Sequence, residues 1–130
     1  MLQTENRLKK TRDFNLIAKH GRWVNGDFLD FKYVKLDKIQ NYFPKKEDVK
    51  SFKNQLRLAF VVSLKISKSA VKRNRLKRQM REVVRLLFKE GTVASGYYIL
   101  VMAKPGALKK DYAAISQEIE LLLKKIKVLK

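Results

Sequence analysis

The chain has 130 residues, 45% of them hydrophobic, which suffices for one domain with one modest core and leaves little for a second. Its 31 Lys and Arg against 12 Asp and Glu give a formal net charge of +19, a self-repelling excess that a polyanion rich in phosphate would relieve. The absence of cysteine excludes a disulfide framework, a thiol nucleophile and any zinc site built on cysteine ligands.

Met1 to Lys10 is polar and basic and lacks the apolar run of a signal peptide. No stretch approaches the roughly 18 apolar residues of a membrane span, so a cytoplasmic protein with no membrane partner is expected. Thr11 can cap a short helix through Lys19, with Asp13 near the positive dipole end and Gly21 just past the last turn. From Trp23 to Leu36 a strand is predicted, because Leu29, Phe31 and Tyr33 alternate with Asp30 and Lys32. Residues 37–54 are polar, contain Pro44 and show no sustained period, which predicts a long exposed loop.

Leu56 to Leu64 is a nearly continuous apolar run of the length of a central strand. Ser67 or Ser69 can cap the helix that follows, which should reach about Lys89 and stop before Gly91. Gly96 to Ala103 reads as another buried strand, closed by a turn at Pro105 and Gly106. From about Asp111 a final helix places Tyr112, Ile115, Ile119, Leu122, Ile126 and Leu129 three and four residues apart, a stripe that must pack on the sheet. The expected fold is a single α/β (α+β) domain over residues 1–130, a two-layer sandwich of one mixed β-sheet covered by three helices in the order α-β-β-α-β-α.

The chemistry concentrates in the helix after Ser69. Lys72 to Arg81 holds six basic residues in ten. At about 100° per residue, Leu76, Met80, Val83 and Leu87 fall on one face, with Asn74, Arg78, Arg81 and Arg85 nearly opposite. An ordinary solvated helix face mixes the two signs in i,i+4 pairs. Glu82 is the only acid from Lys65 through Lys89, so the pattern predicts a phosphate-contact surface, where Arg forks grip two oxygens and Lys supplies a mobile point charge.

Ser67 to Arg85, SKSAVKRNRLKRQMREVVR, closely resembles the signature helix of the bacterial ribonuclease P protein component family. The resemblance extends to NRLKKTRDF at Asn6 to Phe14, to LRLAFVVSLKISK before the signature helix and to GYYILVMAKPGA after it. It implies a protein partner of a catalytic ribonuclease P RNA that helps remove the 5′ leader from precursor tRNA. It implies no obligate protein partner. The phosphodiester chemistry would then belong to the RNA and its Mg²⁺ ions, with no metal bound by the protein alone. Sparse, scattered acids agree, since a metal-dependent nuclease needs clustered carboxylates.

Carried over by position, the resemblance assigns the RNA contacts to Lys72, Arg73, Asn74, Arg75, Lys77, Arg78, Arg81 and Arg85, with Asn74 either touching RNA or orienting its neighbours. Arg7, Lys9, Lys10, Arg12 and Lys68 are further candidates. A groove between the first helix and the sheet would hold the leader, with Phe14 and Phe31 as stacking faces and Ala18 where some family members carry a second phenylalanine. The resemblance also implies a left-handed crossover through the signature helix, against the usual handedness rule. The rival reading, a ribosomal or other structural RNA-binding protein, shares the basic helix but needs no precursor-specific groove.

Overall fold

The structure is a computed structural model that describes residues 7–8, 11–36, 56–89, 94 and 96–128. The predicted loop at 37–54 lies outside the described residues, as do Lys9, Lys10 and Leu129. The elements are α1 (Thr11–His20), β1 (Arg22–Asn25), β2 (Leu29–Lys35), β3 (Leu56–Val61), α2 (Ala70–Lys89), β4 (Tyr97–Ala103), a 3₁₀ turn (Pro105–Lys109) and α3 (Tyr112–Lys125).

They form one mixed sheet in the order β1-β2-β4-β3. β2 runs antiparallel to both β1 and β4, whereas β3 and β4 are parallel and are joined by a crossover through α2. The stretch expected as one strand from Trp23 to Leu36 is a hairpin of two. The chain reverses at Gly26 to Phe28 and pairs Trp23 with Lys32 and Asn25 with Asp30. Gly26–Asp27 is a turn dipeptide between two strand-forming runs, a signal the alternation reading passed over.

The turn is held from outside the hairpin. The Glu118 carboxylate, buried on α3, accepts the backbone N–H of Asp27 at 2.7 Å and of Phe28 at 2.9 Å. Lys104 donates its Nζ to the Gly26 carbonyl at 2.7 Å and lies 3.1 Å from Asp30 Oδ1. A Cβ at Gly26 would stand 2.7 Å from the Leu29 carbonyl oxygen and 2.9 Å from the Glu118 carboxylate, so only glycine fits between them.

Strand alternation splits the apolar residues between two clusters. Leu29, Phe31, Leu58, Phe60, Ile99 and Val101 share one face, covered by α2 through Leu76, Met80, Val83 and Val84 and by α3 through Ile115, Ile119, Leu122 and Leu123. On the opposite face, Val34 and Tyr98 pack with Leu8, Leu16 and Ile17 under α1. Over their described residues both predicted helix stripes are therefore core, except that Leu87 is half-buried and Tyr112 is exposed. The cover on the α1 face is partial. Asp30, Lys32, Ala59, Val61, Leu100 and Met102 alternate onto this face and remain half-buried.

Candidate nucleic-acid interface

α2 begins where its serines dictate. Ser69 Oγ accepts the Lys72 N–H at 3.3 Å, and Ser67 Oγ accepts the Ser69 N–H at 3.2 Å, a cap that satisfies donors with no partner inside the helix. Arg73 is bound into this cap, since its guanidinium donates to the Ser67 carbonyl at 2.8 Å. Part of its fork is thereby committed to structure.

With Leu76, Met80, Val83 and Val84 turned into the core, the rest of the helix turns its cations outward. Lys72, Asn74, Arg75 and Arg78 are exposed, and Lys77 and Arg81 are half-buried. Among the described residues no carboxylate lies within ion-pair distance of Lys72, Arg75, Lys77, Arg78 or Arg81. The Asn74 side chain takes no hydrogen bond among the described residues and faces solvent beside Arg75 and Arg78.

Arg85 differs. Its guanidinium grips Glu82 with both arms, Nε to Oε2 at 3.1 Å and Nη2 to Oε1. The hydrogen bond from Arg85 holds the Glu82 carboxyl below the usual carboxylate range, and the same bond raises the Arg85 guanidinium. The one acid of the segment thus serves one arginine at the far end of the stripe and leaves the first half of the helix uncompensated.

The basic surface continues beyond α2. Arg81 lines two cavities, one of about 270 Å³ shared with Arg7 and Leu58 to Phe60 on the β3 edge, the other of about 780 Å³ shared with Arg75, Arg78, Gln79, Glu82 and Tyr112. Arg7 is placed there because it bridges to Leu58 as a short parallel extension of the sheet. Lys68 is exposed, whereas Arg12 is half-buried with its Nε 3.5 Å from Asp13.

The aromatic groove requires a correction. Phe31 is 0% exposed and sits in the cluster beneath α2 and α3, on the opposite side of the sheet from α1. It cannot line a groove beside α1, because strand alternation assigns that face to its neighbours Asp30 and Lys32. Phe14 is half-buried against Ala59, Leu100 and the α1 cluster, and Ala18 is exposed one turn later.

The sequence reading missed Trp23. The hairpin register sets it opposite Lys32, on the α1 face, where it is 50% exposed. The Lys32 ammonium lies 5.1 Å from the Trp23 ring centroid and donates to the Ala18 carbonyl at 2.9 Å. Lys32 therefore links Trp23 to Ala18, which lies one turn after Phe14 on α1 beside the partly covered sheet.

The described acids do not gather. Among the described residues there is no group of three or more His, Cys, Asp or Glu that could hold a metal ion. Glu118 serves the hairpin turn, Glu82 serves Arg85, Asp30 faces Lys104, and Asp111 caps α3 by accepting the Ala114 N–H at 2.9 Å. Among the described residues no helix is long and apolar enough to cross a membrane.

Comparison with known proteins places these features in a family. The family described as Ribonuclease P matches residues 2–127. A ribonuclease P protein component of Pseudanabaena sp. is 33% identical over 129 residues, 99% of this chain and 97% of that relative. One from Microcystis aeruginosa is 32% identical over 124 residues, 95% of this chain and 92% of its own length. The Staphylococcus aureus RNase P protein structure superposes with a TM-score of 0.73 at 26% identity, covering 96% of this chain and 98% of that one. The Thermotoga maritima RNase P protein structure gives 0.68 at 27% identity, covering 93% and 97%.

Proposed function

The chain belongs to the ribonuclease P protein family, and from that membership we propose how its surfaces divide the work of the holoenzyme. It is the RNA-binding protein subunit of an endoribonuclease that processes tRNA. The catalytic ribonuclease P RNA docks on the exposed face of α2, where Lys72, Asn74, Arg75, Lys77, Arg78 and Arg81 meet phosphates. The observation that carries this reading is the run of cations on α2 with no carboxylate among the described residues to neutralise them. Such a face repels itself when free and releases counterions when it meets RNA.

The precursor's leader runs along the α1 face, with Phe14 and Trp23 as sequence-tolerant stacking faces and Lys32 between them for a phosphate. Cleavage uses Mg²⁺ held by the RNA, a reading supported by the commitment of the described carboxylates Glu118 and Glu82 to structural partners. The working site is the cytoplasm, and no second protein is required.

Reconstitution tests the proposal. Purified, RNA-free protein, ribonuclease P RNA and a precursor tRNA labelled at its 5′ end are combined with Mg²⁺. Leader release that needs the RNA, with tighter precursor than mature tRNA binding when the protein is added, is the expected result. Cleavage by the protein alone would overturn the division of labour, and equal affinity for both tRNAs would remove the leader groove.

A further inference from the structure

We infer that the cavity between α2 and the first turn of α3 is a nucleotide subsite, in which one unpaired base stacks on the Tyr112 ring while its phosphate rests on Arg75 and Arg78. The inference rests on the reading of α2 as the RNA-facing helix.

Tyr112 is the exposed member of its stripe. Ile115, Ile119, Leu122 and Ile126 of the same stripe are 0 to 3% exposed, yet Tyr112 is 39% exposed. The Asp111 cap starts α3 at this residue, so its ring lies beyond the edge of the core and borders the basic face of α2. The cavity of about 780 Å³ falls within the roughly 300 to 1,000 Å³ of sites that hold small ligands, ample for one nucleotide.

Its lining suits a base with its phosphate. Arg75, Arg78 and Arg81 bring three guanidinium groups, and the one carboxylate, Glu82, is held by Arg85. Gln79 offers both an amide donor and an acceptor to the edge of a base. A phosphate backbone alone would need only the convex row of cations on α2. A concave wall with an aromatic face adds recognition of a flat ring, which an RNA strand can present only where a base is unpaired and turned out of its helix.

The test compares wild type, Tyr112→Ala, Tyr112→Leu, Tyr112→Phe and Arg78→Ala for affinity to full-length ribonuclease P RNA across a salt series, with melting temperatures alongside. Tyr112→Ala and Tyr112→Leu should each weaken binding by about 5- to 150-fold, the range that one base stack supplies. Their log-log salt slope should match wild type, because every cation is retained. Tyr112→Phe should bind as wild type does, and Arg78→Ala should flatten the slope by about 0.7 to 0.9. Tyr112→Leu keeps apolar bulk on α3, so it reads out stacking even if the alanine variant folds poorly. Wild-type affinity in Tyr112→Leu with a weakened Arg78→Ala would overturn the subsite and leave α2 as the RNA face. A slope flattened in the Tyr112 variants would also overturn it, since the ring would then act only by holding the arginines. No effect in any variant would defeat the reading of α2 itself.

Discussion

Phe31→Ala separates a core position from a groove position. The ring is fully buried among Leu29, Ile99 and Val101 beneath α2 and α3, and the sheet on one side and two helices on the other limit collapse into the space it leaves. Truncating a buried phenylalanine costs about 3 to 5 kcal/mol, the transfer free energy of the ring plus the cavity left behind. At about 4 °C per kcal/mol for a domain of this size, the melting temperature should fall by about 12 to 20 °C. Phe14→Ala and Trp23→Ala remove rings that are half-buried or exposed, so their melting temperatures should move far less. The functional effects should run the other way. In the reconstituted holoenzyme, Phe14→Ala or Trp23→Ala should weaken precursor tRNA binding by about 1 to 3 kcal/mol per stack and leave mature tRNA binding unchanged. Phe31→Ala, assayed well below its melting temperature, should treat the two tRNAs as wild type does. The assays are thermal unfolding by circular dichroism and equilibrium binding of tRNA with and without a leader. A Phe31→Ala protein that melts like wild type, or that loses precursor binding selectively, would refute the placement of this ring.

Replacing Lys77, Arg78 and Arg81 together by Ala should weaken catalytic-RNA binding and flatten its salt slope by about 0.7 to 0.9 for each phosphate no longer neutralised, with little change in circular dichroism because these side chains lie off the Leu76 and Met80 seam. Glu118→Ala should cost about 2 to 4 kcal/mol, since two backbone amides would be left without a charged acceptor, and amide exchange at Asp27 and Phe28 should quicken; unchanged exchange would show that the turn does not depend on α3. Glu82→Gln should release Arg85 for RNA, tightening binding at neutral pH and steepening the salt slope by up to about 0.7 to 0.9. The Glu82 carboxyl is held below its ordinary value of 4.5, so the ion pair is complete above that value and is broken as pH falls through the lowered one. The advantage of Glu82→Gln should therefore shrink in acid, and an advantage that persists unchanged there would argue against the pair as its cause.

The proposed RNA contacts lie on two faces of the chain separated by its sheet. α2 and the β3 edge gather Arg7, Arg75, Arg78 and Arg81 around two cavities, while the α1 side offers Phe14, Lys32 and Trp23. Glu118 on α3 supports the hairpin that carries Trp23, so the helix that packs the core also positions a residue of the opposite face.

Much of this is local and therefore legible in the sequence alone. Net charge is a sum, the α2 face follows from a period of 3.6 and a single acid, and the caps at Ser69 and Asp111 depend on side chains within three residues of the amides they satisfy. The same alternation that made β2 recognisable also placed Phe31 and Lys32 on opposite faces. What it could not say is which face meets α1, because that depends on where helices distant in the chain pack. The break at Gly26 escaped the strand period because the partners that stabilise it, Lys104 and Glu118, lie 78 and 91 residues from the groups they bind. Trp23 and Tyr112 are ordinary apolar residues in a one-dimensional reading. Only the hairpin register, which sets Trp23 beside Lys32, and the packing of α3 along α2, which sets Tyr112 among arginines, turn them into surface, because exposure is decided by neighbours that the chain brings from far away.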